Sequence, residues 1–232
     1  MTAATEARNT QKLTVPREWR TFPVAAATVI LAGTLVAVNA SGYLVPASAD
    51  TTLLVVGVAE EGADNTSGAN GALEVEVDRC IAKFVNGDSI TIAHVGDPCY
   101  ATDNQTIAKG DGGTAAAKDA TLTFNGTDDV GLYVDGVLVY VACDTNAATT
   151  IDNWLVAAAK FPQLTEKFTF TDGTTKITVT KKTSGDFSIE DYSPATASFA
   201  ISSVTAGVAP TKPRAGKIHL VDSDGVWVDT RA

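Results

Sequence analysis

Histidine is nearly missing from this sequence. Two occur, His94 and His219, beside three cysteines, one methionine and few aromatic residues. Each scarcity excludes something. Two histidines and Cys80, Cys99 and Cys143, without regular spacing, make neither a zinc motif nor, being odd in number, a disulfide framework. They read as reduced thiols in a chain that folds in a cytoplasm. His94 falls in the phase of Ile90 and Ile92, as a packed side chain would. No local signature supports a Cys99–His catalytic pair. A nucleophile elbow, a phosphate loop and a dinucleotide fingerprint are all missing. Asp222-Ser-Asp224-Gly225 starts like a calcium loop, but the expected later Glu is missing and strand-like residues flank it, so it reads as a turn. No catalytic, cofactor or metal site is expected, and the residues alone say non-enzymatic and β-rich.

Long apolar runs are also lacking. The longest, Val24 to Val38, contains Gly33 and Thr34 and falls short of the roughly 20 residues of a membrane span. Ala47-Ser48-Ala49 beyond it resembles a signal-peptidase site. Against that stand a long leader carrying Glu6 and Glu18, and Tyr43-Leu-Val-Pro46 in what would be the cleavage region. Strands explain more residues. Thr28 to Val38 is β-branched and apolar, Asn39-Ala-Ser-Gly42 is turn chemistry, and Tyr43 to Val45 returns as a strand. Basic residues are in deficit, giving a formal net charge of −10, which as a whole disfavours nucleic acid and anionic membranes. The sequons at Asn39, Asn65, Asn104 and Asn125 are silent without a secretory route.

What is present is β-texture in three parts. Residues 1–22 form a polar arm without periodicity. Residues 23–114 together with 208–232 form a β-rich body. Its expected strands are Thr52–Ala59, Leu73–Val77 with alternating acids, Ile90–Val95, and a last hairpin through Asp222–Gly225. Glu60–Gly71 reads as a mobile loop by composition. Residues 115–207 form an inserted α+β module. It has a hairpin turning at Asp135-Gly136 and a helix capped at Thr149 or Thr150, with Ile151, Trp154, Leu155 and Ala158 on one face. Pro162 stops the helix, a second hairpin turns at Asp172-Gly173, and Phe199–Val204 closes the unit.

An ordered series of pieces carries a resemblance. It runs Arg8-Asn-Thr10, Phe22-Pro-Val-Ala-Ala26, Ala32-Gly-Thr-Leu-Val36, Asn39-Ala-Ser-Gly-Tyr43 and Val56-Gly-Val-Ala59. It continues with Asp97-Pro-Cys-Tyr-Ala-Thr-Asp-Asn-Gln-Thr106, Gly216-Lys-Ile218 and Val221-Asp-Ser-Asp-Gly-Val-Trp-Val228. The set resembles the capsid decoration, or cement, proteins of tailed bacteriophages over about 1–110 and 214–232. The segment between departs from that pattern. The resemblance implies a mainly β fold, a compact β-barrel-like body with an extended N-terminal arm and an inserted module. It implies a non-enzymatic virion protein on the outer capsid surface, made in the host bacterial cytoplasm, that stabilises the shell by bridging capsomers. The partners implied are the major capsid protein and other copies of the chain, a trimer before a dimer, with no nucleic acid, membrane or cofactor. On this reading Ala47-Ser48-Ala49 is a loop.

The arm is where contact is expected. It carries a net +2 against −12 for the remainder, which favours acidic neighbours. Arg17, Trp19 and Arg20 have the composition of an interface hot spot, with Arg8 and Lys12 as more distal charges. The alternative from another class is a secreted or surface-displayed adhesin-like subunit, which would use the signal-peptide reading and the same β-rich composition.

Overall fold

A computed structural model describes residues 2–13, 18–192 and 197–232. The first strands, in chain order, are β1 (Glu18–Pro23), β2 (Thr28–Ile30), β3 (Leu35–Val38), β4 (Leu44–Pro46), β5 (Leu54–Ala59) and β6 (Ala63–Asn65). They are followed by β7 (Glu74–Arg79), β8 (Ile81–Asn86), β9 (Pro98–Ala101) and β10 (Thr106–Ala108). These belong to a unit spanning Met1–Gly112 and Thr211–Ala232.

Turn chemistry sets several of these boundaries. Asn39 accepts the N–H groups of Ser41 and Tyr43 at 3.0 and 3.1 Å, and Gly42 takes φ +83°, so β3 folds back onto β4. The expected single strand from Thr28 to Val38 is instead two. Thr34 donates its hydroxyl to the Leu31 carbonyl at 2.7 Å, and Gly33 sits at φ +74°, which breaks the extended run. The expected strand Ile90–Val95 is a 3-10 turn at Ile92–His94. Asn86 grips Ile90 through both its side-chain oxygen (2.9 Å) and nitrogen (2.8 Å), and Ser89 adopts φ +49°, so the chain bends there. Ile90 is buried and Ile92 is 75% exposed; the apparent alternation was not a strand face. The Glu60–Gly71 loop contains β6, and its Asn65 is buried, donating to the carbonyls of Ala25 (2.8 Å) and Ala69 (2.9 Å).

The second unit, Gly113–Pro210, holds β11 (Ala117–Thr123), β12 (Val130–Val134), β13 (Val137–Val141), α1 (Ala147–Ala158) and α2 (Pro162–Thr165). Then come β14 (Phe168–Asp172), β15 (Lys176–Lys181), β16 (Ile189–Asp191) and β17 (Ser198–Thr205). One sheet runs β14-β15-β11-β17 and the other β13-β12-β16. Asp135 and Gly136, both at positive φ, make the tight turn between β12 and β13. The cap of helix α1 lies three residues before Thr149, the nearer of the two expected caps. Asn146 is the N-cap and accepts the Thr149 N–H at 3.0 Å. Ile151, Trp154 and Ala158 face the core with Leu155 partly buried, and the Trp154 indole donates to the Val139 carbonyl at 3.1 Å. Pro162 ends one helix by opening the next.

The chain then returns to the first unit as β18 (Arg214–Asp222) and β19 (Gly225–Asp229). These complete a closed barrel in the order β10-β8-β19-β18-β9. Five strands enclose little space, and the interior is filled by Ala82, Cys99, Ala101 and Cys80 around Phe84, Ile107, Ile218, Val226 and Val228. A five-stranded sheet, β1-β7-β5-β3-β4, puts Leu35, Ala37 and Val58 into the same core. Its opposite face carries Val36, Val56, Val75 and Val77. There it packs with Val24 and with Ile30 and Ala63 of the β2–β6 pair. The fold is therefore mainly β with a closed barrel, as the sequence led one to expect. The stretch Val24–Asp50 contributes three of its strands.

Candidate docking surface

Residues 2–13 run along their own body. The Arg8 N–H donates to the Ala32 carbonyl at 2.8 Å, Leu13 N–H to Ile81 at 3.0 Å, and Lys83 N–H to Gln11 at 2.9 Å. Buried Asn104 accepts the Ala4 N–H at 2.8 Å. Gly33 has no side chain where this strap crosses, because an added Cβ would lie 1.9 Å from the Arg8 carbonyl oxygen. The extended-arm expectation is thus modified. Backbone groups that a solvated arm would offer to water are paired within the unit.

Lys12 binds the carboxylates of Glu60 and Asp78, the latter at 3.2 Å and fully buried. Its charge is committed internally in this conformation, as a buried carboxylate requires. Arg8 is partly buried, and one guanidinium nitrogen, Nη1, is enclosed without a hydrogen-bond partner. That burial lowers its pKa from the ordinary arginine value, with nearby Asp103 opposing. Arg17 lies outside the described residues.

Trp19 and Arg20 lie on β1, the edge strand of the five-stranded sheet. The arm was expected to stop short of any strand, yet Glu18–Pro23 pairs in full register with Arg79–Glu74 of β7. Consecutive strand residues point to opposite faces. Trp19, 57% exposed, stands opposite Asp78; Arg20 stands opposite Val77, on the apolar outer face. The two therefore do not form one contact. Arg20 instead shares a cavity of about 290 Å³ with Phe22, Val38, Leu54, Val55, Val56 and Arg79. Leu54 there is 66% exposed. The sequence reading missed Arg79 and Leu54. The signal available was the phase of Arg79, which continues the Val75–Val77 alternation with a charged residue.

The other residues weighed in the sequence make local bonds. His94 Nδ1 accepts the Thr91 N–H at 3.0 Å in the 3-10 turn. Asp222 organises the last hairpin turn, accepting from Asp224 N–H, the Trp227 indole and Lys83. Among the described residues there is no cluster of three or more His, Cys, Asp or Glu side chains able to hold a metal. Nor do they include a helix long and apolar enough to cross a membrane.

No family model matches the chain, and no curated protein matches it. A solved structure titled "Mycobacterium phage Patience" is similar at a TM-score of 0.28 and 16% identity, over 94% of this chain and 97% of that one. A likeness at this level assigns neither fold nor function.

Proposed function

We propose that the chain is a structural protein of a tailed-phage virion that decorates the capsid and stabilises it by bridging neighbouring subunits. One observation carries this reading. The pieces that resemble cement proteins lie in two stretches far apart in sequence, and both fall in the single unit Met1–Gly112 with Thr211–Ala232. The departing segment falls in the other unit. An inserted unit within an otherwise continuous family pattern has this arrangement.

Such a protein needs no catalytic site. Its ligand is a composite surface of the assembled shell, and binding only that surface stabilises the assembled state by linkage. Many copies add small contributions. The major capsid protein and other copies of the chain, as a trimer, are the proposed partners on the outer capsid surface, after synthesis in the host cytoplasm. Nucleic acid and membrane have no part in it.

The test is binding to undecorated capsids at low and high salt. Removing residues 1–21 is not a clean comparison, because it deletes most of β1 and the strap. Trp19→Ala is cleaner, since the side chain is exposed at an edge. Saturable binding by the wild type is expected, with a loss of about 2 kcal/mol or more in Trp19→Ala if Trp19 is a hot spot. Absence of saturable binding by the intact chain would overturn the proposal.

A further inference from the structure

The outer face of the five-stranded sheet is covered unevenly. At one end the β2–β6 pair packs Ile30 and Ala63 onto Val36, Val56, Val75 and Val77. The other end is open, and the cavity described above lies there, floored by Phe22, Val38, Leu54 and Val56. Val38 and Leu54 are cross-strand neighbours on β3 and β5. Two arginines, Arg20 and Arg79, line the same cavity. Arg79 reaches Glu18 at 3.5 Å and the Arg231 carbonyl at 3.4 Å, both long contacts. The Arg20 guanidinium makes no hydrogen bond or ion pair among the described residues. A guanidinium with unused donors beside an apolar floor, in a protein of net charge −10, is a local reversal of the surface character.

We propose that this pocket docks a segment of the shell protein that presents an apolar side chain next to a carboxylate. The floor takes the apolar anchor, which supplies most of the affinity by leaving water. Arg20 takes the carboxylate in a paired hydrogen bond, which fixes orientation and excludes basic partners. A polyanion such as nucleic acid fits poorly, because phosphates gain nothing from the apolar floor and the rest of the surface repels them. The identity of the partner as a shell protein rests on the capsid reading; the chemistry of the pocket does not.

The experiment uses the full chain and a fluorescent, N-acetylated probe peptide of alternating leucine and glutamate, read by anisotropy. Matched leucine–lysine and serine–glutamate peptides serve as comparisons. Binding of the leucine–glutamate probe is expected, with at least tenfold weaker binding of either comparison peptide. Arg20→Glu and Leu54→Asp should each weaken the probe at least tenfold while leaving circular dichroism and Tm unchanged, because both side chains are exposed. Equal binding of the leucine–lysine peptide, indifference to both substitutions, or no binding would overturn the inference. Self-association abolished by the same substitutions would overturn it in favour of a second copy. On capsids the two ideas separate: an intact chain that fails to bind shells but binds the probe strikes only the capsid reading. Binding to shells that survives both substitutions strikes only this pocket.

Discussion

At the scale of single residues, several charges of this chain organise its turns, Asp222 above all. Asp222 accepts from the Trp227 indole at 2.8 Å, the Asp224 N–H at 2.9 Å and Lys83 at 3.0 Å. These bonds hold its carboxyl down at about 2 from an ordinary 3.8, the indole contributing most. A depressed carboxylate pKa favours the folded state above the unfolded value, and that contribution is lost as pH falls through the folded value. Asp222→Asn should therefore lower the Tm at pH 7, and the gap to wild type should close between about pH 4 and about pH 2. Calorimetry across that range decides it; a gap independent of pH would show that the ionised form is not what matters. Cys80, Cys99 and Cys143 are all thiols. Burial pushes Cys99 up to about 12, far from the reactive thiolate, whereas Cys143 is only partly buried. A thiol reagent at pH 8 should label Cys143 first and the other two only as the protein unfolds. All three should titrate in denatured, unreduced protein; a count of one would mean a disulfide. The reading of Trp19 with Arg17 and Arg20 as one cluster used composition alone. Composition does not carry strand phase, so it could not place Trp19 and Arg20 on opposite faces.

At the scale of elements, what was legible followed local chemistry. The hairpins at Asn39–Gly42, Asp135-Gly136, Asp172-Gly173 and Asp222–Gly225 announce themselves because their turn residues satisfy the backbone locally. The strap and β1 were illegible because distant residues hold them, Ala32, Ile81 and Asn104 for the strap and β7 for β1; the bend at Ile90 is local, held by Asn86 four residues back, and was hidden by the apparent alternation of Ile90, Ile92 and His94. Helix α1 sits between these cases. Its buried face was readable from spacing, but its start was not, since Asn146 and the two threonines are all competent caps. Asn146→Ala should cost about 1 kcal/mol, removing the acceptor for Thr149 N–H. Thr149→Ala, at the third helical position, should cost clearly less. Chemical denaturation of the two variants compares them directly, and equal losses would mean the cap is misassigned.

At the scale of the whole chain, the division into units rests on how each one closes its ends. In the first, the Asp111 carbonyl accepts both Thr211 N–H (2.8 Å) and Lys212 N–H (2.9 Å), which holds the two crossing points together. In the second, Thr114 and Val208 exchange backbone bonds at 3.0 and 2.9 Å. Each unit has its own core of buried residues. Excising 113–210 and joining the ends through a short Gly/Ser linker should leave a first unit with a cooperative thermal transition. Loss of all cooperative unfolding would show that the inserted unit is required for the body to fold. The same closure has a consequence in time. Strand β8 needs β19, and Phe84 pairs with Val226 only after every residue of the second unit has been made. At synthesis rates of about 5–20 residues per second that delay is on the order of ten seconds. Until then the half-built barrel leaves Phe84, and in turn Cys99 and Ile107, without their final neighbours, and by the time β18 begins at Arg214 all strands of the second unit have been made. Closure therefore waits for the last translated hairpin, and until that hairpin is free to pair, these apolar residues are the part of the first unit open to chaperones and to aggregation.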